Sequence, residues 1–228
     1  MNKQEKKAYL DILQENKEEY NFLKETIVSF LSGESLRDCI HSVRHRLKDS
    51  QHFLEKIKRK NKEISEKNLA LPATNQIELI TKDNVLEKIT DIAGVRVLHL
   101  HPAQFSKIHN SINAKISNGE FVFHENPKAY TWDKEYKEFF LSLGIETQIK
   151  DSYYTSVHYI LKRNNHSIAK CEIQVRTLLE EVWGEIDHTM NYPQPTKNEE
   201  CKEQLKILAK LIGSGSHLAD FIMKTHAK

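Results

Sequence analysis

The chain has 228 residues, 39% hydrophobic and 29% charged, and its 34 Lys and Arg against 32 Asp and Glu leave a formal charge of +2. That length suits one α/β domain with helical ends, or two small domains, and the charge is too small for a protein that binds nucleic acid over its whole surface. No apolar run approaches the ~20 residues of a membrane span, the amino terminus lacks a signal-peptide pattern, and Cys39, Cys171 and Cys201 form neither a disulfide framework nor a zinc motif, so a cytoplasmic protein away from membranes is expected.

Residues 3–31 place Leu10, Leu13, Phe22, Leu23, Ile27 and Phe30 at helical spacing, and Gly33 closes the helix. The basic segment 36–64 fits two periods. As a strand, Ser42–Lys48 puts Arg44, Arg46 and Lys48 on one face; as a helix, Leu36, Ile40, Val43, Leu47, Leu54 and Ile57 align. Asp49 has the chemistry of an N-cap, so the reading is a strand to Lys48 and a helix after Asp49. Projected on that helix, Lys48, His52, Lys56 and Arg59 share about 80° of arc, either as a solvated stripe or as a polyphosphate cradle. Residues 65–84, with Pro72, read as a connector.

Ile92–Leu100 reads as a buried strand led by Asp91, and Pro102 opens a helix with Phe105, Ile108, Ile112 and Ile116 inward. A short strand at Phe121–Phe123 and a helix at Trp132–Leu143, stopped by Gly144, come next. Strands are predicted over 145–149, 155–162 and 167–176, then a helix from Leu178 to about Asn191, ended by Tyr192-Pro193. The last helix, Glu199 to Met223, has Gly213 and Gly215 as weak points. This order predicts an α/β (α+β) fold, a mixed sheet of about five strands wrapped by helices. It is read as one domain over 1–228, with an N-terminal helix in 1–32, a core over 36–195 and a C-terminal helix over 199–226.

Along Cys171–Thr177, strand alternation sends Cys171, Ile173 and Val175 to one face and Glu172, Gln174 and Arg176 to the other. An acid, an amide and a cation in a row suit an exposed sheet face or a site. Leu179, Val182, Trp183 and Ile186 make the next helix partly core, which favours the site. Asp91 suits a simple turn or cap; brought to the same cleft as Glu172, it would offer the carboxylate oxygens that Mg²⁺ takes alongside substrate phosphates. With 7 glycines and no Walker A sequence, phosphates would have to be held by side-chain cations. No kinase HRD or DFG and no His-Asp dipeptide occur, and His41 and His45 lack a third metal ligand.

Four blocks together resemble the RelA/SpoT-type alarmone synthetases over roughly residues 40–195: Arg46-Leu-Lys48 with Lys56 and Arg59, Asp91-Ile-Ala-Gly-Val-Arg96, Tyr154-Thr-Ser-Val-His158, and the run from Glu172 to His188. The length looks like that of the small, synthetase-only members. The resemblance implies a nucleotidyltransferase-like fold and a Mg²⁺-dependent transfer of the β,γ-diphosphate of ATP to the 3′-hydroxyl of GDP or GTP. It implies that Arg46 and Arg96 sandwich adenine, that Lys48, Lys56 and Arg59 bind phosphates with His52 on the same side, and that Asp91 and Glu172 serve as catalytic and metal-binding acids. Tyr154 would stack on the acceptor base, with His158, Gln174 and His188 beside it. Three departures from the family's usual pattern stand out: Ser152-Tyr153 for Asn-Gly, Thr155 for Arg, and His52 for Ser. The first two lie on the acceptor side. They leave open a toxic relative's chemistry, modifying the 3′ end of tRNA or adenine nucleotides, beside a catalytically relict nucleotide-binding module. Small members often form homo-oligomers, tetramers among them, and an antitoxin partner is a further possibility.

Overall fold

The protein is described from a computed structural model covering residues 1–191 and 195–226; the expected helix end at Tyr192-Pro193 lies outside the described residues. Where one helix is expected over 3–31 there are two, α1 (Lys3–Glu15) and α2 (Lys17–Leu31). Asn2 and Glu5 cap α1 reciprocally, and Asn16 ends it by donating its side-chain amide to Ile12 O at 2.8 Å. The break lets Tyr9 and Leu13 of one helix and Tyr20, Leu23, Ile27 and Leu31 of the other all enter the core, while Phe22 stays outside.

The two-period segment divides as read. Strand β1 (Ser42–Leu47) ends before Asp49, whose carboxylate accepts from the Gln51 and His52 amides and starts α3 (Ser50–Asn68). Phe53 and Ile57 are wholly buried, each contributing roughly 2 kcal/mol, and they set the roll of α3. Lys56, beside Ile57, is thereby turned toward the head of the next strand.

After a single turn, α4 (Val85–Lys88), come β2 (Ala93–His99), α5 (Ala103–Ser117), β3 (Val122–Thr131), α6 (Lys134–Ser142), β4 (Glu146–Ile149), β5 (Ser156–Lys162), β6 (Cys171–Thr177), α7 (Leu178–Asn191) and α8 (Glu199–His226). Among the described residues six strands, rather than about five, form one mixed sheet in the order β1-β2-β6-β5-β3-β4. The pairs β2–β6 and β3–β4 are parallel and the others antiparallel. Strand β3 extends well past the expected Phe123. Pro127, which removes a ladder donor, sits between the register shifts at Phe123, Glu125 and Lys128, where an irregular ladder tolerates it.

Helix α8 runs unbroken through Gly213 and Gly215. A Cβ on Gly213 would lie 3.1 Å from Trp132 Cζ2, so this glycine serves close packing and does not weaken the helix. Trp183 of α7 is buried and donates its indole N–H to Leu205 O of α8 at 3.0 Å. Leu179 is half-buried, but the other two apolar residues of the α7 expectation are inverted with its acids. Val182 and Ile186 are exposed, at 48% and 39%, and Glu180 and Glu181 are buried. Glu180 accepts from the Thr177 amide at 2.9 Å, and Glu181 has arginine partners that override the apolar pattern, as the site shows.

Candidate active site

The sheet register assembles a polar floor. Arg44 pairs with Arg96, Arg96 with Gln174, and Gln174 with His158, which makes one row across four strands. The neighbouring row runs Arg46, Gly94, Glu172. Cys171, Ile173 and Val175 fill the core on the opposite face, as the alternation requires. A cleft of about 580 Å³ stands over the floor, lined by Arg46, Asp91, Arg96, Tyr154, Glu172, Gln174 and Arg176 from the sheet side and by Glu185, Asp187 and His188 from α7.

Asp91 stands just before β2. Its Oδ2 meets Lys48 Nζ at 2.9 Å and Lys56 Nζ at 2.5 Å. Burial by itself would raise its pKa, but Lys56 and Lys48 override that and hold it down to about 2. Lys48 goes the other way: its own burial keeps it below the ordinary lysine range, and the Asp91 contact offsets this only in part. Both directions stand, since the carboxylate gains two cations and each lysine gains a share of one anion. Asp91 Oδ1 is buried without a hydrogen-bond partner. Glu172 lines the same cleft and feels the Asp91 charge. A bare carboxylate oxygen in a cleft that a second carboxylate also lines fits a hard divalent cation, with Asp91 and Glu172 as the residues that would hold it.

Glu172 is joined to two further groups. Its Oε1 lies 3.1 Å from His158 Nδ1, and its Oε2 accepts from Gln174 Nε2 at 3.2 Å. His158 Nε2 lies 3.0 Å from the Tyr154 hydroxyl. An ionised carboxylate only accepts, so Nδ1–H donates to Glu172; in the neutral ring Nε2 then accepts from Tyr154. Burial would raise the Glu172 pKa, but the His158 hydrogen bond and charge bring it below the ordinary glutamate range.

Glu181, 3% exposed, faces the cationic end of the cleft. Its Oε1 lies 2.6 Å from Arg96 Nη1 and 3.5 Å from Arg44 Nη1. Its Oε2 lies 2.6 Å from Nη2 of the buried Arg176, an approach that makes an ion pair without hydrogen-bond geometry. Arg96 Nη1 also meets Glu185 Oε1 at 2.6 Å. The Arg176 guanidinium carbon sits 5.7 Å from the centre of the Tyr154 ring. Gly184 is what makes room for Arg176, since a Cβ there would lie 2.7 Å from Nη1. Gly184→Ala is expected to push the guanidinium off Glu181 and destabilise the fold by roughly 1–3 kcal/mol, against the gain alanine usually brings to a helix. A urea midpoint equal to or above the parent's would refute that packing argument.

The structure thus gathers Arg46, Lys48, Lys56, Asp91, Arg96, Tyr154, His158, Glu172 and Gln174 around the cleft, with His188 lining it from α7. Two expected donor-side residues stand apart. His52 contacts the N-cap carboxylate of Asp49, and Arg59 pairs with Glu63 at 3.6 Å; both are solvent-exposed and line no part of the cleft. Lys48 precedes the α3 cap instead of continuing the helical stripe, and it meets Lys56 only across Asp91. Tyr153 and Tyr154 diverge. Tyr153 has φ 62° and packs on Trp132 with ring centres 5.1 Å apart, away from the cleft that Tyr154 lines. Thr155 is buried against the Thr131 hydroxyl at 3.1 Å.

The sequence reading missed three contributors. Lys60, one turn beyond Lys56, is half-buried, and its charge is disfavoured by burial and by Lys56; the i, i+4 spacing could have flagged it. Arg176 shares the Glu172 face, and strand parity alone assigns it no partner. Glu181 carried no signal, because an acid on an amphipathic helix reads as solvent-facing.

The family profile described as the region found in RelA/SpoT proteins matches residues 45–197, the segment that builds this cleft. The chain belongs to the RelA/SpoT family. No curated protein matches it. Among solved structures, a GTP pyrophosphokinase family protein from Streptococcus pneumoniae is 18% identical with a TM-score of 0.66, covering 99% of this chain and 95% of that one. Small alarmone synthetase 1 from Bacillus subtilis, bound to its product pppGpp, is 20% identical with a TM-score of 0.63, covering 97% of this chain and all of that one. A second structure of the Bacillus subtilis small alarmone synthetase 1 gives 18% and 0.64, covering 96% of this chain and 97% of that one. At these identities the likeness is one of fold: this RelA/SpoT chain has the α+β architecture of small alarmone synthetases.

Proposed function

We propose that the chain is a Mg²⁺-dependent pyrophosphokinase that moves the β,γ-diphosphate of ATP to the 3′-hydroxyl of GDP or GTP, releasing AMP and making a (p)ppGpp alarmone for stress signalling. The observation that carries this reading is Asp91, whose buried Oδ1 is left bare in the cleft that Glu172 also lines while two lysines hold Oδ2. Membership of the RelA/SpoT family supports it.

When bound, Mg²⁺ supplies Lewis-acid stabilisation of phosphate charge. The protein's own groups do the rest. Arg46 and Arg96 flank the adenine. Lys48 and Lys56, with Lys60 behind them, neutralise the phosphates and the charge that builds on departing AMP. Glu172 takes the proton of the attacking 3′-hydroxyl as the new O3′–Pβ bond forms and the bond from Pβ to the AMP oxygen breaks. Tyr154 offers its ring to the acceptor base, with His158, Gln174 and His188 beside it. Among the described residues no helix is long and apolar enough to cross a membrane, and a cytoplasmic setting follows from the substrates. The exposed Ile207, Leu211, Leu218, Phe221 and Ile222 on α8 support a homo-oligomer built through that helix.

The test is incubation with γ-labelled ATP and, separately, GDP, GTP, AMP, ATP and tRNA. Label on GDP or GTP is the expected result. Label on tRNA or an adenine nucleotide would move the chain to the toxic branch, and absence of label on any acceptor would leave a binding module. Tyr154→Ala should then lower kcat/KM for the acceptor about ten- to hundredfold, the worth of one stacked base, with affinity for ATP alone unchanged. Tyr154→Phe keeps the ring and loses one hydrogen bond to His158, so activity should stay within roughly fivefold. If alanine weakens ATP binding instead, the donor and acceptor sites are reversed.

A further inference from the structure

We infer that Glu181 is a positioning residue that couples the donor and acceptor halves of the cleft, so that a nucleotide in one half raises the affinity of the other. The inference rests on the donor and acceptor assignments proposed above. One oxygen of this buried carboxylate meets Arg96, assigned to the adenine side, and the other meets Arg176, which backs the acceptor-side Tyr154 ring. The two oxygens belong to one planar group and cannot adjust independently. Arg176 is 4% exposed and lies against Gly184, so a shift of Glu181 is passed on to it and not absorbed by solvent. A base stacked on Arg96 therefore orders Glu181, and through it Arg176 and the ring of Tyr154. The second nucleotide meets a surface already ordered, and the coupling is positive.

A role confined to neutralising the three arginines predicts something else. Removing it would lower stability, or weaken both nucleotides separately, and leave their mutual effect unchanged. Glu181→Gln does not separate the two roles, because it strands the buried Arg176 without a counter-ion and puts the fold at risk. Glu181→Asp keeps the charge on a side chain one methylene shorter, which reaches one arginine but not both. Arg176→Lys keeps the opposite charge and removes the planar fork.

Calorimetry on the full chain with saturating Mg²⁺ would measure a methylene-bridged ATP analogue that cannot release AMP, and GDP, each alone and with the other saturating. In the parent each should tighten the other about tenfold, by the same factor in both directions. In Glu181→Asp and Arg176→Lys both nucleotides should still bind, and the factor should fall to about one. A parent factor of one, or a factor unchanged in both variants, overturns the coupling while the assignment of the two subsites stands. If the parent binds neither nucleotide, the reading of the cleft fails and the coupling falls with it.

Discussion

Asp91→Asn is expected to abolish transfer, lowering turnover roughly 10³-fold or more at saturating Mg²⁺, because several kcal/mol of charge stabilisation at the phosphates depend on that carboxylate. Asparagine retains an acceptor for Lys48 but neither the charge nor the bare anionic oxygen. The fold should persist, since Asp91 lines a cleft and is not part of the apolar core. Stability should change in a defined pH window. The Asp91 pKa lies at about 2, below its ordinary 3.8, so its contribution is fully present above the ordinary value and is lost as pH falls through about 2. That contribution is worth about 2 kcal/mol. Urea midpoints of parent and variant should differ near neutrality and converge in acid. Turnover close to the parent's, in a variant with native circular dichroism, would remove Asp91 from the metal site.

Glu172→Gln should lower kcat by roughly 10²–10⁴-fold, the range for loss of a positioned general base, with the KM values for ATP and acceptor little changed. The substitution preserves shape and can still accept from His158 Nδ1, so the effect reads the lost carboxylate charge, as proton acceptor and as partner to the metal, apart from any change of shape. Because His158 holds the Glu172 pKa below the ordinary glutamate range, the base is already ionised throughout the neutral range. The rate should therefore lose no activity to Glu172 protonation until pH drops into the acid region. A large KM change with kcat intact would make Glu172 a binding group and not the base.

Much of the scaffold is local and can be read from neighbouring residues. The Asp49 cap, the alternation along Cys171–Thr177 and the lead position of Asp91 depend on residues a few positions apart, and each holds. The full length of strand β3 is hidden from the sequence because Pro127 argues against a strand, and only its partners β4 and β5 show where the ladder absorbs it. The divergence of Tyr153 and Tyr154 turns on a single backbone angle that no periodicity encodes.

The chemistry-bearing residue types were present in four short blocks, and strand parity alone placed Glu172, Gln174 and Arg176 on one face. Which charges meet was decided by the fold. Lys48 and Asp91 lie 43 positions apart, and Arg96 and Glu181 lie 85 apart; both contacts depend on the β1–β2–β6 register and on the roll of α3 and α7. The roll of α7 is the clearest case. Its apolar residues point to a core through Val182 and Ile186, yet the helix turns Glu181 inward. On the sheet, Arg44, Arg96 and Arg176 converge, and a buried guanidinium without a counter-charge costs more than two exposed aliphatic side chains.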